Sequence, residues 1–336
     1  MKKAAKQKPA GTKAPKAKTL VQYDDRGFKS FMKCLWRDKA LVVMALPAVV
    51  LMIMFNYIPM TGLVLAFKRF DFSAGLYASP WNGFENFKQL FLVGDTFWRI
   101  TRNTVGYYLL FTALETVCSI ALAIAINELV FKKIGKYTHS ILIMPTFISF
   151  VAVSYIVKAL LDYNTGFINS IIASGGGEKI NFYLQASYWP FILALVHIWK
   201  NTGYASVLYL SVLSGIDPEL YNSASLDGAG TWKRIRYITI PMLVPMMIIK
   251  LLLGLGNIMH SDTGMFYQVT RNTGALYETT QVLDSYVLNT IMNPAAASAG
   301  YGVVAATTFY QSVVGLVMIL IVNGIVRKFS PENAMF

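Results

Sequence analysis

Cysteine, histidine and acidic residues are scarce in this chain of 336 residues, and each scarcity closes off a class of function. The two cysteines, Cys34 and Cys118, fall in a basic N-terminal stretch and in an apolar run, so they offer neither a disulfide framework nor a metal site. Its three histidines, His139, His197 and His260, stand far apart without ligand spacing, and no metal site is expected. No G-x-x-x-x-G-K-[ST] phosphate loop occurs, and GGGEK at 175–179 lacks the spacing, so the chain is not expected to bind ATP by itself. Neither a Ser-His-Asp arrangement nor paired carboxylates stand out. No catalytic residue is therefore assigned, and an enzyme is not expected.

Charge is sparse as well, at 14% of residues, while 55% are hydrophobic and the mean hydropathy is +0.48. Such a composition belongs to an integral membrane protein rather than a soluble domain. A span needs roughly twenty mainly apolar residues. Six segments qualify, at about 41–66, 104–128, 138–161, 187–212, 240–260 and 303–326. The expected fold is all-α with six transmembrane helices.

The net charge of +13 is read by its position along the chain. Twelve Lys and Arg residues precede Leu41. The tail, the 129–137 turn, the 213–239 loop and the C-terminus together hold twenty, against seven in the three alternate loops. Both termini and the 213–239 loop are thereby expected in the cytoplasm. Residues 1–18 are rich in Lys, Ala and Pro and read as a tail lying near anionic lipid, not as a nucleic-acid arm. Phe28, Phe31, Met32, Leu35 and Trp36 recur at helical spacing and predict an interfacial elbow helix. The division is thus 1–39 for tail and elbow, 40–328 for the membrane domain, and 329–336 for a C-terminal cytoplasmic tail. Some forty residues precede the first span, so a cleaved signal peptide is not expected.

The polar stretch 217–241, DPELYNSASLDGAGTWKRIRYITIP, organises the rest. Asp217 is a good N-cap, Pro218 fits the first helical position, and Glu219 puts negative charge in the first turn. Leu220, Ala224 and Leu226 give the helix an apolar face before Asp227-Gly228 breaks it. A second helix is expected over about 230–238, with Trp232, Ile235, Tyr237 and Ile238 on lipid or neighbouring helices and Lys233, Arg234 and Arg236 toward water. An ordinary interfacial connection would also account for these features.

The stretch resembles the coupling loop of membrane subunits of type I ABC importers, whose pattern is E-A-A, three residues, G, nine residues, I, one residue, L-P. Asn222, Ser223 and Ala224 fill the first places, and Gly228, Ile238, Ile240 and Pro241 fall at the family spacing. The family's glutamate is Asn222 here and its first alanine is Ser223, so a charge contact to the ATPase is lost or moves to Glu219. PMTGLVLAF, SPWNGFENF and DPELYNSA resemble the sugar and oligosaccharide branch, particularly permeases of polysaccharide uptake.

The resemblance implies a multi-pass permease of the bacterial cytoplasmic membrane. It would pair with a second homologous permease, with ATPase subunits that hold ATP and Mg, and with an extracytoplasmic substrate-binding protein. Glu219, Leu220, Tyr221, Asn222, Ala224, Asp227, Gly228 and Ala229 would face the ATPase. The outer segment 261–302 resembles the part of the family that faces the binding protein, through Tyr277, Thr279, Asp284 and Tyr286.

Charges at mid-bilayer depth face the protein interior or a wet cavity. Glu115, Lys200 and Lys250 hold such positions, either paired to fix helix packing or lining a polar path. In the fourth span, Trp199 and Tyr204 could stack on sugar rings while Lys200 and Asn201 bond to hydroxyls or carboxylates. Tyr310 and Gln311 form a similar group in the last span, and helix packing is the competing account of both groups. Two lysines against one glutamate suggest tolerance of an anionic sugar chain, with Lys200 mattering more for acidic than for neutral substrates. A secondary transporter driven by an ion gradient, with the three charges as a relay, and a non-transporting scaffold are the alternatives.

Overall fold

A computed structural model describes residues 32, 36–92, 94–129, 132–292 and 297–329. The expected basic tail and elbow helix, and the C-terminal tail, fall almost wholly outside these residues. The chain divides into two units, Met1–Thr61 and Gly62–Phe336.

The described residues of the first unit form mainly helix α1, Lys39–Met52, which continues through a widened turn at Ile53–Tyr57 and a last turn at Ile58–Met60. Pro59 has no N–H to give to the carbonyl four residues back, so widening the helix just before it gives up little. No residue of α1 is buried.

In the second unit, a short antiparallel bridge pairs Lys68 with Trp81. A small helix, α2, Glu85–Leu92, then leads into the long α3, Asp95–Asn127. Gly94 enters α3 at φ +68, which its lack of a Cβ permits, and Asp95 complements the exposed N–H groups of the first turn. After α4, Lys132–Ile143, Pro145 tightens the chain into a 3₁₀ turn at Met144–Phe147 and Ile148 is extended. Helix α5, Phe150–Leu161, then starts on Ser149, whose Oγ accepts the Ala152 N–H at 3.3 Å. The two limbs are bent by 97°. The third expected span is therefore broken.

Helix α6, Phe167–Ser174, lies in the 162–186 segment and is fixed by Asn169, whose amide donates to the carbonyls of Asp162 and Ile180. Helix α7, Trp189–Ser214, follows, then α8, Pro218–Leu226, and α9, Ile240–Leu255. Helices α10, Leu283–Met292, and α11, Ala297–Phe329, complete the chain.

Each of the six expected segments falls on helix. Among the described residues, four helices are singly long and apolar enough to cross a membrane, Lys39–Phe67, Asp95–Asn127, Thr231–Leu255 and Gly300–Lys328, and the bent pair, counted as one span, makes five. Helix α7 is long enough at 26 residues, but its HIWKNTGY stretch lowers its apolarity.

Lipid offers no hydrophobic drive between helices, so close packing and polar contacts hold the bundle. The most extensive helix contact is α3 on α7. Gly203 lets α7 approach the backbone of α4 so closely that a Cβ there would lie 1.9 Å from the Leu142 carbonyl oxygen. Ser119 of α3 donates to the Thr202 carbonyl of α7 at 3.3 Å.

Candidate functional site

The loop between α7 and α9 has its first helix where the sequence places it. Asp217 Oδ1 accepts the Glu219 N–H at 2.9 Å, and Pro218 opens the helix. Gly228, at φ +75, reverses the chain while the Ala229 N–H closes on the Ala224 carbonyl at 2.9 Å. The second helix departs from expectation. It is regular only over Thr231–Arg234, widens through Ile235–Thr239, and runs without interruption into α9. Pro241 has no N–H for the Tyr237 carbonyl, so the widened turn again precedes a proline.

Two bonds tie the limbs of the loop: Tyr221 Oη to Thr239 Oγ1 at 3.1 Å and Arg234 Nη1 to Ser225 Oγ at 3.0 Å. Tyr221 is half-buried against the core of α3, α7 and α9. On the expected apolar face of α8, Leu226 is 90% exposed and Leu220 47%. Asn222, at the family's glutamate position, is exposed too, as are Glu219, Asp227 and Gly228, while Ala224 and Ala229 are half-buried. Tyr221 and Asn222 also border a cavity of about 660 Å³ shared with Ile126 and Asn127 at the C-terminal end of α3. The C-terminal end of α3 is therefore the loop end of the bundle.

At mid-length, three helices meet on one carboxylate. Glu115 of α3 accepts from Lys250 of α9 at 2.7 Å through Oε1 and meets His197 Nε2 of α7 at 2.9 Å through Oε2. Asn201 Nδ2 lies 3.2 Å from His197 Nδ1. With that amide donating, the ring proton sits on Nε2 and points at Glu115. Phe111 stacks flat on the imidazole, 4.3 Å between centroids and 8° between planes. Glu115, His197 and Asn201 line a cavity of about 240 Å³, walled by Tyr107, Phe111 and Phe266. The Tyr107 hydroxyl is buried there without a hydrogen-bond partner.

The remaining sequence-selected residues do not join this cavity. The Lys200 ammonium, on a residue only 6% exposed, donates to the carbonyls of Pro145, Thr146 and Ile148, and Thr146 Oγ1 returns a bond to the Lys200 carbonyl at 2.7 Å. It caps the break in the third span, which gives its charge a place in the packing of the helices. Trp199 and Tyr204 lie on exposed faces of α7. Tyr310 packs edge-on to Phe91 and Phe97, and Gln311 is buried with its amide on the Met259 carbonyl at 2.7 Å. Packing accounts for both.

The segment 261–302 is bonded both within itself and to other elements. Tyr277 Oη donates to Asn272 Oδ1 at 2.9 Å, beside two left-handed residues, Arg271 and Asn272. Thr279 Oγ1 donates to the Ala186 carbonyl at 2.7 Å. Asp284 accepts the Ser261 N–H at 2.7 Å and its hydroxyl at 3.0 Å, and Tyr286 is half-buried in the core of α2, α3 and α11. Sequence reasoning missed the link between Glu115 and His197, which lie 82 positions apart with no motif joining them. Among the described residues, no group of His, Cys, Asp and Glu side chains is arranged to hold a metal ion.

Residues 40–331 match the family described as binding-protein-dependent transport system inner membrane component. The chain is 28% identical to the polygalacturonan/rhamnogalacturonan transport system permease protein YteP of Bacillus subtilis (strain 168), over 97% of this chain and 99% of that one. It superposes with a TM-score of 0.79, at 31% identity, on a chain of a bacterial ABC transporter involved in the import of the acidic polysaccharide alginate, covering 89% of this chain and 99% of that one. A second structure, of a bacterial alginate ABC transporter in complex with an alginate pentasaccharide-bound periplasmic protein, matches at TM-score 0.78 and 31% identity, over 89% and 97% of the two chains.

Proposed function

We infer the function from this premise: the chain belongs to the inner membrane components of binding-protein-dependent transport systems, and it is a permease subunit of an ATP-driven importer of sugars or oligosaccharides. It is a multi-pass protein of the cytoplasmic membrane and a transport subunit, not an enzyme. Family membership displaces the ion-gradient and scaffold alternatives. A periplasmic substrate-binding protein is its partner by the same likeness.

The finer reading concerns how force reaches the pathway. Hydrolysis takes place on a separate ATPase subunit that docks on α8, and the observation that carries this is one continuous helix. Thr231–Leu255 starts in the loop and contains Lys250, nineteen residues on, so roughly 28 Å of helix separates the loop from Glu115. Tyr221, bonded to Thr239, locks α8 to that rod. When the ATPase pulls on the loop, the rod shifts Lys250 against the carboxylate shared with His197. The exposed Leu226 and Leu220 give the docked partner an apolar surface.

The cavity itself suits a sugar chain in transit, with carboxylate, amide and imidazole beside aromatic walls. At about 240 Å³ it falls below the roughly 300 Å³ at which ordinary ligand pockets begin. An oligosaccharide therefore passes only after the spans move. A second homologous permease supplies the other wall of the pathway. What supports it is the family, which implies a second permease.

The test is affinity purification from native membranes in mild detergent, followed by reconstitution with the binding protein and assays of ATP hydrolysis and uptake. Recovery of an ATPase and a second permease, with sugar-stimulated hydrolysis, is the expected result. A chain recovered alone and inactive on ATP would refute it.

A further inference from the structure

At the end of the bundle away from the coupling loop, a second cavity of about 330 Å³ lies among Arg69, Phe70, Asn82, Glu85, Asn86 and Gln89, and it is separate from the central one. Its frame is rigid. Lys68 and Trp81 pair in antiparallel register, the Arg69 N–H donates to the Pro80 carbonyl at 3.0 Å, and the Asn82 N–H donates to the Phe67 carbonyl at 2.8 Å. Alternation along this extended segment sends neighbouring side chains to opposite faces. Lys68 turns inward, is 4% exposed, and donates to the Tyr77 carbonyl; Arg69 turns outward. Asn86 forms the floor, its buried amide donating to the Ala66 and Lys68 carbonyls, each at 2.9 Å. Gly302 of α11 meets that side chain so closely that a Cβ would lie 2.6 Å from it, which pins α2 to α11.

Three of the side chains lining this cavity are idle. Among the described residues, nothing bonds the side chains of Arg69, Asn82 or Gln89, whereas Glu85 holds Lys88 at 2.6 Å. An unpaired guanidinium in a fixed frame matches a carboxylate through two parallel N–H bonds. Asn82 and Gln89 offer both donors and acceptors, as sugar hydroxyls require. Phe70, held edge-on to Phe72 and tilted against Tyr301, supplies an aromatic wall. The Glu85 carboxylate disfavours a doubly charged phosphate but accepts from hydroxyls. One negative charge surrounded by hydroxyls describes a uronate.

We propose that this cavity is an outer binding site for a uronic acid residue of an acidic oligosaccharide, with Arg69 on the carboxylate and Asn82 and Gln89 on the hydroxyls. The assignment rests on the permease reading above, and it moves the anion preference from Lys200, which is consumed within the fold, to Arg69. The site meets the sugar outside the membrane, before the central cavity does.

The experiment uses the full importer complex with two probes, tri-galacturonate and its methyl ester, which differ only in charge. Arg69→Gln is expected to raise KM for the acid relative to the ester about tenfold, as loss of one charged hydrogen-bonding partner does, with Arg69→Lys recovering part of the difference. Equal shifts for both probes, or none, would overturn the site. An equal shift that vanishes at high salt would assign Arg69 to docking of the binding protein and overturn the sugar assignment as well. Equilibrium titration of the membrane complex without the binding protein gives a readout free of transport: saturable tri-galacturonate binding that Arg69→Gln abolishes supports the site, and binding that Arg69→Gln leaves intact refutes it. Wild-type complex that hydrolyses ATP and imports neither probe would overturn the substrate class. Failure of the permease reading itself shows differently, as absence of any ATPase in the complex.

Discussion

Lys250 Nζ lies 2.7 Å from Glu115 Oε1, and the helix carrying that lysine begins in the polar 217–241 loop. Removing one member of a largely buried pair leaves the other uncompensated, at a cost on the order of 2–4 kcal/mol. Lys250→Met and Glu115→Gln should each lower the melting temperature of the purified complex. The double variant should recover most of the loss, because the two apolar or neutral side chains no longer strand a charge. Additive losses in that cycle would show that the pair does not act as a unit.

Gly228 sits at φ +75 in open space, so its side-chain position is limited by backbone angle alone. Gly228→Val should abolish uptake and sugar-stimulated ATP hydrolysis while leaving membrane insertion intact, since a β-branched residue is strained there. Gly228→Asn, which tolerates the left-handed region, should retain much of both. Normal transport by the valine variant would refute the coupling role of the turn.

The capped helix and glycine turn of the 217–241 loop were legible because their signals are local: a cap, a proline, a glycine and fixed spacing within 25 residues. Apolar runs placed the spans for the same reason. The direction of a charged side chain on a helix is set by partners far along the chain, and there pattern reading fell short. The depth and sequence neighbours of Lys200 leave helix packing and a polar path both open, because the carbonyls it caps lie 52 to 55 residues away. The bend that frees them follows Pro145, which the continuous apolar run conceals. Arg69 drew no attention because nothing in its sequence neighbourhood shows that Gln89 and Gly302 close a cavity around it.

Gly203 is a packing requirement of a different kind. A methyl group there would stand 1.9 Å from the Leu142 carbonyl oxygen, and backbone does not yield as a side chain does. Gly203→Ala should force α7 off α4 and cost at least about 3 kcal/mol, seen as loss of assembled complex in detergent at normal expression. Recovery of stable, active complex would mean that this contact is looser in the membrane.

Lys200 offers the sharpest separation between a structural and a substrate-contacting role. Its ammonium joins three carbonyls at the break between the limbs of the third span and lies 4.9 Å from the centroid of the Phe150 ring. Lys200→Met keeps the length of the side chain but leaves those carbonyls short of donors, a loss of about 1–3 kcal/mol for each that stays dry. The break should loosen, the complex should melt earlier, and uptake of tri-galacturonate and its methyl ester should fall in the same proportion. A substrate-contacting lysine would behave differently, weakening acidic uptake alone. Selective loss of the acid would return Lys200 to the pathway, and a proportional loss leaves Arg69 as the residue that distinguishes charge.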